Sequence, residues 1–333
     1  MQTIFITGGA GYLGTNISLV ALEKGYTVVI LDNFKNSYCQ HINRLKKDYP
    51  NSLFVYKGDV RDNSILDKIH SRHHIDSIIH LAAYKYVGES ISNSNKYYEN
   101  NMESLDSILD FASRANTKKF AFASSAVVYG NPISYPTNET ENLSPLSPYA
   151  ETKAEGERII EDWCSKTHIP SIIYRFSNPI GAESTYGFGD DSKKKVSNLL
   201  PYIIDSIYND EHMTFKGNDH PTHDGTAVRD YIFVCDLAKA VIGVLEKYNE
   251  QSCEIVNVSR GKGFSVLDLL RAAEKGLNKK AQYDFAPRNE KEASISLLSA
   301  DKLHSKYDTY LDTDIDKIVE SEIIFRKSLQ KER

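Results

Sequence analysis

Long apolar runs are missing from this chain. No stretch of its 333 residues approaches the ~20 consecutive apolar residues that a membrane-spanning helix needs, so we expect no association with a membrane. The first strand-like run begins at residue 2 or 3, which leaves no room ahead of it for a secretory signal peptide. Both absences favour a cytoplasmic protein.

Cysteine is scarce, and its spacing does not suggest a metal site. The four cysteines lie far apart, at Cys39, Cys164, Cys235 and Cys253. We therefore expect reduced thiols, as is usual in the cytosol, rather than disulfides or zinc ligands. His220 and His223 are close in sequence, but a metal site needs further ligands, so we interpret both as loop residues.

An excess of positive charge is missing as well. The 40 Lys and Arg residues against 45 Asp and Glu residues give a formal net charge of −5, which argues against a nucleic-acid-binding surface. We interpret the run Lys193–Lys195 as a solvated loop. There is no internal repeat and no low-complexity linker, and the composition is that of a globular chain with one large or two modest domains.

A glycine-dense turn near the start of the chain carries the first functional signal. Thr3–Thr7 is an apolar, β-branched run typical of a buried parallel strand, and a helical stretch follows from about Tyr12 to Lys24. The glycines between them fit both G-x-G-x-x-G and G-x-x-G-x-x-G. Glycine lets a diphosphate approach the backbone, and the N–H groups and dipole of the helix start favour negative charge. The alternative is a turn that only packs helix on strand.

An acidic residue ends the next predicted strand and indicates which dinucleotide binds. That strand is Thr27–Leu31, and Asp32 follows it directly. A carboxylate at this place accepts hydrogen bonds from the adenosine ribose hydroxyls and repels a 2′-phosphate. The sequence therefore predicts NAD rather than NADP.

Strand-like and helix-like segments alternate through residue 175. This order predicts an α/β fold: a Rossmann-type, doubly wound parallel sheet made of right-handed βαβ units. The predicted strands are residues 3–7, 27–31, 53–56, 76–80, 120–123, 171–175 and 254–258. The predicted helices are residues 12–24, 38–47, 64–71, 95–115, 150–167, 196–208, 236–247 and 313–327. Ligands bind beyond the carboxyl ends of such strands.

The composition changes after Arg175, where Gly, Asp, His and Pro become more frequent. We predict a division into two interleaved domains. Residues 1–175 with about 236–260 would form the NAD-binding domain. Residues 176–235 with 261–333 would form a smaller, mixed α/β domain that binds the substrate.

The stretch Ser147–Lys153 carries the second functional signal, the spacing Tyr-x-x-x-Lys. On a helix, Tyr149 and Lys153 lie one turn apart on one face. A lysine ammonium near a tyrosine hydroxyl favours the phenolate, so we predict that Tyr149 acts as a base below its free pKa. An exposed pair on a helix surface is the alternative, but the glycine turn and Ser125 at another strand end make coincidence a poor explanation.

With these motifs the chain resembles the extended short-chain dehydrogenase/reductase family, and within it most closely the UDP-glucose 4-epimerases. The resemblance covers nearly the whole chain. The matching stretches are Thr7–Gly14, Leu31–Asn33, Gly58–Arg61, Lys85–Ser90, Tyr97–Asn101, Ser124–Gly130, Ser147–Tyr149 with Lys153, Asn178–Ala182, Asn198–Tyr202 and Gly217–Tyr231. The glycine turn and Tyr-x-x-x-Lys are common to the superfamily, whereas Lys85–Ser90 and Gly217–Tyr231 are specific to the epimerases.

The resemblance implies an NAD-dependent UDP-hexose 4-epimerase in which Tyr149 takes the proton of the sugar 4-hydroxyl. Ser125 would assist by a hydrogen bond, and Lys153 would hold the nicotinamide ribose and keep Tyr149 ionised. The implied NAD contacts are Gly8, Gly11, Tyr12, Leu13, Gly14, Asp32, Asn33, Asp59, Val60, Leu81, Ala82, Ala83, Lys85, Asn100, Tyr149, Lys153 and Ser177. The implied contacts with the nucleotide-sugar are Lys85, Ser125, Tyr149, Asn178, Asn198, Leu199, Phe215, Arg229, Arg288 and Ser296. For Arg229, a structural ion pair with Asp230 is the alternative.

Three departures from the family pattern bear on substrate binding. Ser177 stands where a second aromatic residue is usual, and residues 289–292 replace an Arg-x-Gly-Asp loop that grips the nucleotide, a role for which Arg288 is a substitute. Near Ser296, with Ser294 or Leu297 as the alternative for the same place, the family has a large tyrosine beside the sugar 2-substituent. A small residue there leaves room for an N-acetyl group, so UDP-GlcNAc and UDP-GalNAc become candidate substrates beside UDP-Glc and UDP-Gal.

Other reactions of the superfamily fit less well. Sugar 4,6-dehydratases carry an acidic pair after the Ser/Thr, whereas Ala126 and Val127 follow Ser125 here. A nucleotide-sugar reductase or dehydrogenase with net redox would release NADH. A non-enzymatic NAD-binding sensor would usually lack the Tyr/Lys pair.

The family also leads us to expect a homodimer through the helices near 95–115 and 150–167. The first of these helices carries four apolar residues that pack either against a second copy of the chain or against the sheet. They are Leu105, Ile108, Leu109 and Phe111.

Overall fold

A computed structural model describes residues 2–191, 193, 198–288 and 293–332. The strands are β1 (Thr3–Thr7), β2 (Thr27–Asp32), β3 (Leu53–Lys57), β4 (Ser77–His80), β5 (Lys119–Ser125), β6 (Ser171–Phe176), β7 (Asn178–Ile180), β8 (His212–Lys216), β9 (Val228–Phe233), β10 (Cys253–Val258), β11 (Gly263–Ser265), β12 (Gln282–Ala286) and β13 (Ile295–Ser296). The helices are α1 (Tyr12–Glu23), α2 (Cys39–Asp48), α3 (Asn63–His70), α4 (Val87–Ser92), α5 (Ser94–Arg114), α6 (Pro148–Thr167), α7 (Leu199–Tyr208), α8 (Val234–Lys247), α9 (Val266–Leu277), α10 (Asp301–Tyr307) and α11 (Ile315–Glu332).

A seven-stranded parallel sheet in the order β10-β6-β5-β4-β1-β2-β3 forms the centre of the fold. The apolar, β-branched strands suit this position because both faces of the sheet are covered. The strand order reverses beside β1, which pairs with β2 on one side and β4 on the other. Such a reversal opens a crevice at the carboxyl ends of the strands. The predicted Rossmann-type sheet, including the return of β10 beside β6, is confirmed.

Each face of this sheet is covered by helices. Helices α1 and α8 pack together on one face, and α5 packs against α6 on the other. The apolar residues of α5 are buried in the second cluster, between 0% and 4% exposed. They are Leu105, Ile108, Leu109 and Phe111. These four residues therefore pack against the sheet, which is one of the two alternatives that the sequence left open.

Smaller sheets lie in the C-terminal part of the chain. Strand β9 pairs with β7 and β13 in parallel and with β11 antiparallel. Strands β8 and β12 form a parallel pair of their own. Helices α7, α9 and α11 bury a separate apolar cluster here. The expected smaller α/β part is thus present, and the division into domains remains a prediction.

The sequence misses most of the short elements. It leaves α4, α9, α10 and the strands β7, β8, β9, β11, β12 and β13 unassigned. The helix predicted over residues 196–208 begins at Leu199, and residues 196–197 lie outside the described part of the chain. The helix predicted over 313–327 is Ile315–Glu332. Among the described residues, no helix has both the length and the apolar character needed to cross a membrane.

Candidate active site

The carboxyl ends of β1 to β6 open into a cavity of about 840 Å³. Every predicted NAD contact borders this cavity, as do several predicted substrate contacts. The predicted residues that line it are Gly8, Gly11, Tyr12, Leu13, Gly14, Asp32, Asn33, Asp59, Val60, Leu81, Ala82, Ala83, Lys85, Asn100, Ser125, Tyr149, Lys153, Ser177, Asn178 and Asn198.

Two positions of the glycine turn, Gly8 and Gly14, require glycine. Gly8 has φ +69°, and a Cβ on Gly14 would lie 2.5 Å from the Gly8 carbonyl oxygen. Gly11 precedes the first residue of α1 and has no side chain to cap the helix. The helix start therefore presents backbone N–H groups to the cavity, a suitable place for a diphosphate. The Tyr12 hydroxyl donates to the Gly181 carbonyl oxygen at 2.6 Å, so a phosphate contact from Tyr12 would come from its backbone.

Asp32 ties the glycine turn to the loop after β2. Its Oδ2 accepts from the Ala10 N–H at 3.0 Å. Its Oδ1 accepts from the Phe34 N–H at 2.8 Å and from the Ser37 hydroxyl at 3.0 Å. A carboxylate has about four acceptor sites, so one remains for the ribose hydroxyl that the sequence predicts.

Asp59 presents a charged carboxylate at the edge of the cavity. The Arg61 guanidinium donates to both of its oxygens, at 2.9 and 3.0 Å. These hydrogen bonds hold the pKa of the Asp59 carboxyl below its usual value. Asp59 is therefore ionised at neutral pH.

Helix α6 carries the Tyr-x-x-x-Lys pair into the cavity. The helix begins after Ser147, whose hydroxyl accepts from the Ala150 N–H at 3.2 Å, and Pro148 occupies its first turn. Tyr149 is 9% exposed and Lys153 is 5% exposed. An exposed surface pair, the alternative that the sequence left open, is therefore wrong. The Lys153 ammonium donates to the Ala123 carbonyl oxygen at 2.6 Å and lies 5.9 Å from the centre of the Tyr149 ring.

Burial sets the protonation of this pair. It raises the pKa of Tyr149 to about 12, although a hydrogen bond with Ser125 lowers it in part. Burial also lowers the pKa of Lys153 to about 7, and the nearby Glu157 carboxylate opposes that change. The expectation that Tyr149 has a pKa below its free value is therefore not met in this structure. The desolvation of both side chains outweighs their attraction.

A buried ion pair that the sequence did not predict connects α6 to the central sheet. Arg175 and Glu157 are 3% and 2% exposed, and their side chains meet at 2.6 Å. The Ser124 hydroxyl also contacts Glu157, so the pair joins α6 to β5 and β6. The sequence does contain a signal for it, since Glu157 continues the four-residue spacing of Tyr149 and Lys153.

His80 lies beneath the same residues and was also missed. It is 2% exposed, and its Nδ1 lies 2.7 Å from the Thr7 hydroxyl oxygen. Burial and the charge of Lys153 lower its pKa to about 3. The imidazole is therefore neutral and adds no positive charge near Lys153.

Further cavity residues come from loops and from the start of α4 rather than from the strand ends themselves. Two groups follow β2 and β4, and a third follows β7. They are Lys35–Tyr38, Tyr86–Glu89 and Gly189–Asp191. These residues do not directly follow a strand, although the stretch Lys85–Ser90 that matches the family contains Tyr86–Glu89.

Five predicted substrate contacts do not border this cavity. Leu199, Phe215, Arg229, Arg288 and Ser296 lie in the C-terminal part of the fold. Phe215 is 4% exposed and packs against Tyr283 and Phe285. Arg288 lies 3.6 Å from the Asp219 carboxylate. The replaced loop at residues 289–292 lies outside the described residues.

Arg229 and Ser296 are brought together by the small sheet. They are opposite each other on β9 and β13. The Arg229 guanidinium donates to the Val228 carbonyl oxygen at 2.9 Å. The buried Asp230 carboxylate accepts instead from the backbone N–H groups of Arg260 and Gly261, at 3.1 and 3.0 Å.

Ser177 connects the cavity to the same sheet. It is 6% exposed, and its hydroxyl lies 3.3 Å from the Asp230 carboxylate and 3.2 Å from the Val258 carbonyl oxygen. A large aromatic side chain could not make these hydrogen bonds. Ser177, which replaces the usual aromatic residue, is therefore a hydrogen-bond partner of Asp230. Burial raises the pKa of Asp230 to about 7.

The two loop histidines differ in their surroundings. His220 is buried, with Nδ1 2.9 Å from the Ser294 hydroxyl oxygen. His223 is exposed and lies within 4.8 Å of carboxylates of Asp224 and Asp268. Both carboxylates already bind groups at the start of α9, where Ser265 caps the helix. Both histidines lie in a loop, as predicted.

The sequence and fold match known proteins over nearly their whole length. The family model described as "NAD dependent epimerase/dehydratase family" matches residues 4–259. The chain is 37% identical over 290 residues to a UDP-glucose 4-epimerase of Bacillus subtilis (strain 168), with 86% of each chain covered. The structure is similar, with a TM-score of 0.93 and 32% identity over 98% of both chains, to a UDP-glucose 4-epimerase of Bifidobacterium longum in complex with NAD+ and UDP. It is also similar, with a TM-score of 0.95 and 28% identity over 100% of both chains, to a UDP-glucose-4-epimerase of Stenotrophomonas maltophila with bound NAD and formylated UDP-arabinopyranose. The chain belongs to the NAD dependent epimerase/dehydratase family.

Proposed function

We infer that this chain is an NAD-dependent isomerase that interconverts the C4 epimers of UDP-hexoses. The observation that carries the proposal is that half-buried Ser125 and buried Tyr149 and Lys153 lie together at the edge of a cavity that begins at a glycine turn. Relatives at 36–37% identity over more than four fifths of the chain are named UDP-glucose 4-epimerase. The described residues thus combine a cofactor site with a proton-transfer group.

The cavity residues fit a dinucleotide. The N–H groups at the start of α1 suit the pyrophosphate, and the carboxylates of Asp32 and Asp59 suit the adenosine end. The small side chains of Ala82 and Ala83 leave room beside the glycine turn. When bound, NAD would supply the redox chemistry, as an acceptor and donor of hydride for C4 of the hexose, and a positively charged ring.

Tyr149 is the group that exchanges the proton of the sugar 4-hydroxyl. Its position is held by α6, and Ser125 stabilises the phenolate by a hydrogen bond. Lys153 stabilises the same phenolate by its charge, provided that it is protonated. With a pKa of about 12, Tyr149 is neutral at physiological pH, whereas Lys153, with a pKa of about 7, is about half protonated. Each added positive charge in the cavity shifts Tyr149 towards the phenolate.

The nucleotide is the anchor about which the sugar turns. Asn178 and Asn198 border the cavity, and Arg229 lies on the adjoining small sheet. Arginine suits a diphosphate because its planar fork donates two hydrogen bonds at once. A 4-keto sugar held only through its diphosphate can present either face to the same hydride source, which is the requirement for epimerisation.

The choice of sugar rests on Ser296. Ser296 lies opposite Arg229, on β13, and its small side chain leaves space for an N-acetyl group. We therefore propose UDP-GlcNAc and UDP-GalNAc as substrates beside UDP-Glc and UDP-Gal.

We also propose a homodimer in the cytoplasm. The inward residues of α5 are used by the sheet, so a second copy would contact the outward faces of α5 and α6. There the Tyr98 hydroxyl is bonded to the Glu151 carboxylate, and Tyr98 is 38% exposed. Light scattering after size exclusion would give twice the chain mass of 37.6 kDa if this is correct.

Proton NMR of the anomeric region tests the proposed activity. Purified protein is mixed separately with UDP-Glc and UDP-GlcNAc, without added cofactor. We expect UDP-Gal to form from the first and UDP-GalNAc from the second, with no build-up of absorbance from NADH. Release of NADH would support a dehydrogenase with net redox instead. No conversion of either sugar, even with added NAD, would refute the epimerase.

A further inference from the structure

Two buried side chains of α5 hold the loop that follows β4. Asn101 is 7% exposed; its Oδ1 accepts from the Tyr84 N–H at 2.9 Å, and its Nδ2 donates to the Tyr84 carbonyl oxygen at 3.2 Å. Tyr97 is 0% exposed; its hydroxyl accepts from the Tyr86 N–H at 3.1 Å and donates to the Tyr86 carbonyl oxygen at 2.8 Å. The backbone is therefore held on both sides of the residue between them, Lys85.

Lys85 is the residue through which this loop acts on the cavity. Its side chain is exposed and lines the cavity, where the family resemblance implies contacts with NAD and with the nucleotide-sugar. A lysine carries its charge at the end of a flexible stem, so the reach of the ammonium group depends on where the backbone is held. Movement of the loop would change the attraction of Lys85 for any diphosphate in the cavity.

The Tyr97 side chain also contacts the proposed catalytic tyrosine. Its ring packs edge-on against the Tyr149 ring, with ring centres 6.5 Å apart. Its hydroxyl oxygen lies 3.1 Å from the Glu89 carboxylate of α4, and Glu89 pairs in turn with Lys96 at 2.7 Å. One buried tyrosine thus connects Tyr149, the loop and α4.

We propose that Tyr97 is a positioning residue for the reaction: its hydroxyl holds the loop so that the Lys85 ammonium group stays in the cavity, where it attracts the diphosphate of the bound ligand. The ring supports Tyr149, and phenylalanine can replace it in that role. Only the hydroxyl acts on Lys85. This inference rests on the proposed epimerase function and deepens it.

The first test is kcat/KM, for the UDP-hexose that the wild type converts best, in Tyr97→Phe, Lys85→Met and the double variant. We expect Tyr97→Phe to lower kcat/KM by about tenfold, the scale of a lost buried hydrogen bond, mainly by raising KM. Because the hydroxyl acts through Lys85, the double variant should stay within about twofold of Lys85→Met alone. A purely structural role would instead make the two effects multiply.

Tyr248→Phe is the matched control for this substitution. Tyr248 is 1% exposed, and its hydroxyl donates to the Ser252 carbonyl oxygen at 2.9 Å. It therefore loses a comparable buried hydrogen bond, but it does not line the cavity. We expect kcat/KM within about twofold of wild type.

Limited digestion with trypsin is the second test, because it reports on the loop independently of activity. Trypsin cuts after lysine, and the peptide N–H that follows Lys85 donates to Tyr97. We expect cleavage after Lys85, followed by mass spectrometry, to be about tenfold faster in Tyr97→Phe and unchanged in Tyr248→Phe. Lys96→Ala removes a side chain that is 40% exposed, so it leaves the core intact even if Tyr97→Phe does not fold. It should give a smaller rise in the same cleavage.

The outcomes separate this inference from the function on which it rests. If the wild type converts neither UDP-Glc nor UDP-GlcNAc, the proposed function is wrong and the inference falls with it. If it converts either sugar, effects of Tyr97→Phe and Lys85→Met that multiply would overturn the inference alone. Cleavage after Lys85 that is no faster in Tyr97→Phe and Lys96→Ala than in the wild type, or equally faster in Tyr248→Phe, would also overturn it.

Discussion

At the scale of single residues, the chemistry depends on two side chains whose charges burial opposes. Tyr149 and Lys153 are both nearly inaccessible, and the desolvation of each favours its neutral form. The Ser125 hydrogen bond acts in the other direction on Tyr149. Further positive charge in the cavity would therefore shift Tyr149 towards the phenolate.

Replacing Tyr149 by Phe removes the proton-exchanging oxygen and keeps the ring. We expect kcat to fall by about a thousandfold, the scale of general acid–base catalysis, while bound NAD is retained. NMR turnover and the absorbance of cofactor released on denaturation measure the two effects. Tyr310→Phe, which changes an exposed ring, serves as control. Unchanged turnover in Tyr149→Phe would refute the assigned role.

Replacing Lys153 by Met separates activity from stability. The folded pKa of about 7 lies below the usual value near 10.5, so the unfolded chain binds more protons between these values. The contribution of Lys153 to the free energy of unfolding of the wild type therefore increases as the pH rises from about 7 towards 10.5. We expect Lys153→Met to unfold at higher urea than wild type at pH 6, with a smaller difference at pH 9, and to lose turnover at both.

That comparison has a clear contrary result. A stability difference that stays constant or widens between pH 6 and pH 9 would mean that Lys153 is not a buried base with a lowered pKa.

The sequence alone could place Lys153 one turn after Tyr149, but it could not foresee this pKa. Desolvation depends on Phe122 and Ala123, which reach the lysine only in the folded sheet.

At the scale of elements, the first strand, turn and helix are predicted well because the pattern is local. Buried β-branched residues, close glycines and a helical run specify β1 and α1 without distant partners. Strands β7, β9 and β13 were missed for the opposite reason. They are two to six residues long and exist through pairing between segments far apart in the chain.

The close packing of the glycine turn predicts a large effect of one methyl group. In Gly14→Ala the new Cβ would meet the Gly8 carbonyl oxygen and Gly9 Cα at 2.5 Å. We expect a loss of about 1–3 kcal/mol of unfolding free energy and weaker NAD binding, measured by denaturation and by cofactor content. Gly243→Ala, in the middle of α8 with its nearest new contact at 4.0 Å, should retain NAD and gain about 0.5–1 kcal/mol.

The buried ion pair between Glu157 of α6 and Arg175 of β6 gives a second prediction at this scale. Glu157→Gln leaves the buried Arg175 guanidinium without its counter-charge, so we expect a loss of about 3–5 kcal/mol in unfolding free energy. The control is Asp162→Asn, which breaks an exposed pair with Lys166 on the same helix and should cost about 0.5 kcal/mol or less. Equal losses in the two variants would contradict the stabilising role of the buried pair.

At the scale of the whole molecule, the central sheet and the small sheet meet at Ser177 and Asp230. The central sheet supplies the cofactor cavity, and the small sheet carries Arg229 and Ser296. The sequence predicted the doubly wound sheet from its alternation of elements, and the resemblance predicted a nucleotide-sugar site. The sequence could not show that Ser177 joins the two sheets, because its partner Asp230 lies 53 residues further along the chain.

The central claim is that one hydride leaves C4 of the sugar and returns to the same carbon within the protein. UDP-glucose carrying deuterium at C4, incubated with the protein in ordinary water, tests this directly by NMR and mass spectrometry. We predict UDP-galactose with the deuterium retained at C4 and no NADH released. Loss of the label to water, or its appearance in free NADH, would contradict the account.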